Sequence, residues 1–158
     1  MLNYAQHLNI VLLEPEIPGN TGSIGRLCVG LDATLTLIEP LGFSLEDKYM
    51  RRAGLDYWPH LMWKTQPNWQ AFLAESQDFG KRYYYSTKTS QPYTRASYQL
   101  GDFLIFGKET KGLPDELLQA AGDAVYTVPM YGKIRSHNLA NSVSVVSYEA
   151  MRQIKDGF

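Results

Sequence analysis

The sequence predicts an open, doubly wound α/β fold with a mostly parallel sheet flanked by helices, on three observations. Two short apolar runs, Leu8 to Leu13 and Thr34 to Ile38, end in the pairs Glu14-Pro15 and Glu39-Pro40, as buried strands bounded by turn residues do. Between them Ile24, Leu27, Cys28 and Leu31 fall on one helix face, which makes a strand-helix-strand unit and favours parallel pairing. The alternation then continues to the end of the chain.

Taken in order, Thr21 to Leu31 is the first helix. Trp69 to Ala74 reads as a short helix after Pro67, Tyr83 to Ser86 as a strand and Phe103 to Phe106 as another. Asp115 to Ala121 is a helix opened by Pro114, whose missing N–H costs nothing there. The last helix runs from near Asn138 to about Lys155, with Leu139, Val143, Val146, Ala150 and Ile154 in one stripe that the sheet, a partner subunit or both must cover. A ligand of such a fold sits at the C-terminal ends of the strands.

Length and composition agree with a single domain spanning 1–158: hydrophobic residues make up 44% and charged residues 20% of 158 residues, globular values. No apolar run approaches the ~20 residues of a membrane helix, and the N-terminus lacks a basic segment followed by a long apolar one. The expected compartment is therefore the cytoplasm, with no membrane partner. Cys28, alone among Leu27, Val29 and Leu31, reads as core filler. Three scattered histidines and one cysteine form no ligand spacing, so no metal is expected.

The formal net charge is -1, which gives no bulk reason to expect nucleic acid. Basic residues are nonetheless clustered at Lys48, Arg51 and Arg52, at Lys81, Arg82 and Lys88, at Lys108 and Lys111, and at Lys133 and Arg135. A local patch binds phosphate whatever the total.

Three motifs carry chemistry. Gly107 and Gly112 have the spacing of a phosphate loop, but Leu113 and Pro114 stand where that loop needs Lys and Ser or Thr, which rejects a nucleotide triphosphatase. Gly19-Asn-Thr-Gly22-Ser-Ile-Gly25 imitates a dinucleotide fingerprint with one residue too many between its first two glycines. Ser136, His137 and Glu109 would make a hydrolytic triad only with a nucleophile elbow, and none exists.

Phe106-Gly-Lys-Glu-Thr-Lys-Gly-Leu-Pro114, Val128-Pro-Met130 and Arg135-Ser-His-Asn-Leu-Ala-Asn-Ser-Val-Ser144 resemble the second and third motifs of the SPOUT methyltransferases, and the stretch from Asn9 to Cys28 is similar to the first. With Arg51-Arg-Ala-Gly-Leu-Asp-Tyr57, the resemblance narrows to the small bacterial tRNA (cytidine/uridine) 2′-O-methyltransferases of the wobble nucleotide, over about Leu8 to Gln153. It implies a C-terminal trefoil knot, a homodimer, S-adenosylmethionine as cofactor and tRNA as partner. The implied acceptor is the ribose of a wobble cytidine or carboxymethylaminomethyl-type uridine, with leucine isoacceptors expected. Methylation of another RNA such as rRNA by the same chemistry, and a module that binds RNA or cofactor without turnover, remain open.

Residue by residue, the resemblance implies Arg26, Asn20 and Tyr148 as the catalytic group. Arg26 is read as an orienter that stabilises developing alkoxide charge, because a guanidinium is a poor proton acceptor. It implies cofactor binding by Tyr85, Ser86 and Thr87, by Gly107, Glu109 and Gly112, by Val128 and Met130, and by Ser136, Asn138 and Asn141. RNA is expected at Arg51, Arg52, Lys88, Lys108 and Arg135. Several of these positions also suit plainer roles: Asn20, Ser136 and Asn138 as helix caps, and Tyr85 as an ordinary strand aromatic. His137 and Ala140 depart from the family pattern, which has a smaller or apolar residue and a serine there.

Overall fold

A computed structural model describes residues 2–46 and 56–155. Six strands form one all-parallel sheet: β1 (Asn9–Leu13), β2 (Thr34–Ile38), β3 (Met62–Gln66), β4 (Arg82–Tyr85), β5 (Phe103–Phe106) and β6 (Val125–Tyr126), in the order β3-β2-β1-β5-β4-β6. Among the described residues four α-helices flank the sheet: α1 (Pro18–Leu31), α2 (Trp69–Ser76), α3 (Asp115–Ala121) and α4 (Leu139–Ile154).

Strand pleating divides the core into two layers. Ile10, Leu12, Leu104, Phe106, Tyr83 and Tyr85 face α1 and α4 through Ile24, Cys28, Val143, Val146 and Ala150. Val11, Leu13, Phe103, Ile105 and Tyr84 face the other way, onto Phe72 of α2 and Leu117 and Leu118 of α3. The stripe expected on the terminal helix is thus covered by the sheet and α1: Val143, Val146 and Ala150 are fully buried.

Two strands escape sequence reading. β3 is a half-exposed edge strand whose Lys64 and Gln66 serve Glu75 of α2 rather than an apolar layer. β6 has two residues and stops at Tyr126, so Val128-Pro-Met130 is loop, where a strand end was expected; proline has no N–H to give a ladder. The first helix starts at Pro18, earlier than Thr21, and its glycines lie inside it. Gly25 is a contact point: a Cβ there would sit 3.2 Å from Leu61 and 3.4 Å from Trp58 and Tyr57.

The end of the sheet opposite the cleft is fastened by buried Asn9. Its Nδ2 donates toward the carbonyls of Tyr4 (3.0 Å), His7 (3.1 Å) and Asp102 (3.3 Å), and its Oδ1 accepts the Thr34 hydroxyl (2.7 Å). Removing this amide leaves the buried Thr34 hydroxyl without its acceptor and takes a second hydrogen bond from three carbonyls that main-chain N–H groups also serve. Asn9→Ala is expected to cost about 3 kcal/mol, read as a lower urea midpoint at unchanged slope.

Candidate functional site

A cleft of about 620 Å³ opens at the C-terminal ends of β4, β5 and β6. Three separated segments build it: Tyr85, Ser86 and Thr87 after β4, residues 107–112 after β5, and Thr127, Val128 and Met130 after β6, with Arg135, Ser136, His137 and Asn138 returning to close it. Asn20 and Ile17 of the β1–α1 junction complete the wall. Of the expected cofactor positions, all but Asn141 line this one cleft.

The β5 turn is closed by its glycines. A Cβ on Gly107 would lie 2.1 Å from the Gly112 carbonyl carbon and 2.2 Å from the Leu113 nitrogen, so only glycine allows the chain to cross itself there. Gly112 adopts φ +67, and its N–H donates to Lys108 O at 2.9 Å. Leu113, 2% exposed, anchors the turn in the α3-side layer.

Glu109 and Glu16 clasp this turn to the start of α1. Glu109 Oε2 accepts from Glu16 N (2.7 Å) and Ile17 N (3.0 Å), main-chain donors that no helical carbonyl can take. In return Thr110 donates its N–H (3.0 Å) and hydroxyl (2.7 Å) to Glu16 Oε1. Those Thr110 hydrogen bonds hold the Glu16 carboxyl below the usual carboxylate range. The second oxygen of Glu109 is buried and without a partner among the described residues, an acceptor left over beside the cleft.

Tyr85 lines the cleft, but its phenol belongs to the core. The ring stacks on Phe106 at 4.7 Å, and burial pushes the hydroxyl far above its ordinary pKa. Tyr98 spends its one hydroxyl hydrogen on Tyr93 O (2.8 Å), so Tyr85 donates to Tyr98 (2.8 Å).

The orientation of two side-chain amides follows from one main-chain donor. The N–H of Asn141 can only donate, so the Asn138 atom facing it at 3.2 Å is Oδ1, and Asn138 is the N-cap of α4. Its other end, Nδ2, therefore donates to Asn20 Oδ1 at 3.0 Å. That leaves the Asn20 amide presenting its NH₂ away from Asn138, with no second partner among the described residues. Asn20 is 9% exposed and lines the cleft, so the group offered there is a hydrogen-bond donor. Asn141 enters the arrangement through its main chain.

The remaining expected residues are spread more widely. Lys88 lines the cleft and pairs with Asp115, Lys108 lines it and pairs with Glu14 at 3.0 Å, and Arg135 lines it with no ion pair among the described residues. Arg26 is exposed on α1, its guanidinium 6.0 Å from the centre of the Tyr57 ring, and Tyr148 is 48% exposed on α4; neither lines the cleft. The Tyr57 hydroxyl donates to Gly22 O, which fixes that ring beneath Arg26. Arg51 and Arg52 lie outside the described residues. Sequence reading overlooked Ile17, Thr127 and Ser142 as wall residues, since apolar and hydroxyl side chains near a turn carry no signal of their own. Among the described residues no group of three or more His, Cys, Asp and Glu is placed to hold a metal.

An all-parallel α/β sheet with a cleft of glycine turns and asparagine amides at its C-terminal edge is a ligand-binding architecture of the doubly wound class. The chain belongs to the SpoU rRNA methylase family, whose pattern it matches over residues 7–148. It is 47% identical over 148 residues to the tRNA (cytidine(34)-2′-O)-methyltransferase of Escherichia coli, covering 93% of this chain and 94% of that one. The enzyme of the same name from Saccharophagus degradans is 48% identical over 147 residues, covering 92% and 95%. A structure solved in work on the 2′-OH methylation of cytidine or uridine 34 on tRNA superposes with a TM-score of 0.88 at 40% identity, covering 94% of this chain and 97% of that one.

Proposed function

We propose that this protein is an S-adenosylmethionine-dependent 2′-O-ribose methyltransferase of the wobble nucleotide of tRNA, cytidine or carboxymethylaminomethyl-type uridine, with leucine isoacceptors as substrates. The carrying observation is the convergence of three sequence-distant turns on one cleft whose wall includes an oriented asparagine donor. The cleft suits the cofactor: its volume is that of a small-molecule site, polar main chain of three turns faces it, and one carboxylate oxygen of Glu109 lacks a donor. When bound, S-adenosylmethionine supplies an electrophilic methyl group.

The protein's share of the work is placement of the acceptor hydroxyl in line with that methyl, and stabilisation of the charge that grows on its oxygen. Asn20 offers a neutral donor for this. Arg26 offers a guanidinium cation, which orients and stabilises; a guanidinium is a poor proton acceptor, so the hydroxyl proton passes to water or a substrate phosphate.

The same reading takes 1–158 as one methyltransferase domain, with the trefoil knot of the family and a cytoplasmic location. No helix among the described residues is long and apolar enough to cross a membrane. A homodimer is part of it. Ile17, just before α1, and Val145 of α4 are 48% and 42% exposed, and Arg26 and Tyr148 lie off their own chain's cleft, as suits residues that serve a partner's site. Tyr85 to Thr87, Gly107, Glu109, Gly112, Val128, Met130, Ser136 and Asn138 hold the cofactor in this assignment.

Incubation with labelled S-adenosylmethionine and total tRNA, followed by mapping of the labelled nucleotide, tests the proposal. Label in the wobble ribose is expected; label in ribosomal RNA alone moves the substrate, and cofactor binding without transfer marks a non-catalytic module. Arg26→Lys is expected to lower turnover by about two orders of magnitude while calorimetric cofactor affinity stays within a few-fold. Near-parent turnover in that variant sinks the role given to Arg26.

A further inference from the structure

The rim of the cleft between β6 and α4 carries an aromatic ring that none of the described residues covers. Tyr131 is 97% exposed and makes no ring contact or hydrogen bond among the described residues, whereas Tyr4, Tyr57, Tyr83, Tyr84, Tyr85 and Tyr98 are each 9% exposed or less. Its neighbour Ile134 is 55% exposed. Because Met130 and Arg135 line the cleft, residues 131–134 are its lip.

Charge at this lip is of one sign. The sequence has no Asp or Glu between Asp123 and Glu149, although the whole chain has 16 acidic residues against 15 Lys and Arg. Lys64, Lys88, Lys108 and Arg152 are each engaged by a carboxylate, while Lys133 and Arg135 make no ion pair among the described residues. Unneutralised cations beside an uncovered ring are the two components of a single-stranded nucleic-acid platform: the ring offers a face to any base, and the cations take the phosphates beside it. A protein partner would leave Lys133 and Arg135 needing acids of its own; a polynucleotide brings a phosphate at every step.

We infer that Tyr131 stacks on an unpaired nucleobase of the RNA next to the nucleotide whose ribose enters the cleft, with Lys133 and Arg135 on the flanking phosphates. The inference rests on the RNA substrate proposed above. An anticodon-type loop, with its bases turned out of a helix, presents the face this ring needs.

Equilibrium binding of tRNA, measured by fluorescence anisotropy alongside methyl transfer, separates the two claims. Tyr131→Ala is expected to weaken tRNA binding about ten- to a hundred-fold, with cofactor affinity and turnover at saturating RNA unchanged. Tyr131→Phe keeps the parent affinity, since the ring face and not the hydroxyl makes the contact. Lys133→Gln is expected to flatten the slope of log affinity against log salt by roughly 0.7 to 0.9. Parent-like tRNA binding by Tyr131→Ala, loss in Tyr131→Phe equal to that in Tyr131→Ala, or a change of sedimentation mass in Tyr131→Ala that marks the ring as a contact between copies would each overturn the inference. A parent protein that binds tRNA through Tyr131 without methylating it would overturn the proposed activity and leave the platform standing.

Discussion

Gly107→Ala is expected to abolish cofactor binding and to destabilise the fold by more than about 3 kcal/mol, at the upper end of what single substitutions do. A Cβ at this position meets main chain: the Gly112 carbonyl carbon at 2.1 Å, its oxygen at 2.5 Å and the Leu113 nitrogen at 2.2 Å. A flexible side chain could swing aside, but here the turn itself must open. Opening it pulls on Leu113, buried against the α3-side layer, and on the Glu109–Glu16 clasp that holds the start of α1. Two walls of the cleft move together. Gly112→Ala is the control: its Cβ meets nothing within 4 Å, so the penalty is the left-handed φ alone, about 1–2 kcal/mol. Urea denaturation and calorimetry with S-adenosylmethionine read both effects. A Gly107→Ala protein with parent midpoint and affinity would show that the turn is looser than its contacts indicate.

This asymmetry between the two glycines also shows where sequence reading stops. Their spacing marked a turn that could hold a ligand, and missing Lys and Ser or Thr residues excluded the phosphate loop. Which glycine is required by contact and which by backbone angle depends on Leu113 and Gly112 folding back against Gly107, a tertiary fact. The strand-helix-strand unit at the N-terminus, α3 and the covered stripe of α4 were legible because each is a strong local pattern: apolar runs bounded by Glu-Pro, Pro114 before a helix, and a regular stripe. β3 and β6 were not, since one is an edge strand with polar duties and the other is two residues long. The start of α1 was placed at Thr21, which left Gly19 and Asn20 outside the helix, for a related reason. Pro18 can open a helix with Glu109, distant in sequence, accepting the main-chain N–H groups of Glu16 and Ile17 just ahead of it, and no window of local sequence contains that partner.

The asparagines show the same limit from the functional side. As letters, Asn20, Asn138 and Asn141 are equally polar and equally plausible as caps or ligands. In the fold they divide the work: Asn141 supplies a main-chain donor, Asn138 caps and relays, and Asn20 is left with an amide NH₂ that Asn138 does not take. The relay has a direction because a main-chain N–H cannot accept, and the direction makes Asn20 a donor toward the cleft.

Asn138→Asp tests that direction. Aspartate keeps an oxygen for the Asn141 N–H and is as good a cap as asparagine, with its charge favourably placed at the helix start, so the melting temperature is expected to hold or rise. Its other oxygen cannot donate to Asn20 Oδ1. The Asn20 amide must then rotate to present NH₂ to residue 138, which turns its carbonyl toward the cleft and replaces a donor to the developing oxyanion by an acceptor that repels it. Loss of one such donor lowers turnover by about 10²- to 10³-fold, and the reversal of Asn20 is expected to fall in that range, with cofactor affinity changed by no more than a few-fold. Asn138→Ser, which caps but leaves Asn20 free to adopt either orientation, is expected to fall between parent and aspartate. Single-turnover methyl transfer with calorimetric cofactor affinity and thermal melts on the same preparations separates the outcomes. Parent-like turnover in Asn138→Asp would mean that the acceptor oxygen takes no hydrogen bond from Asn20, and a large drop in melting temperature would mean that Asn138 acts through the α4 cap alone.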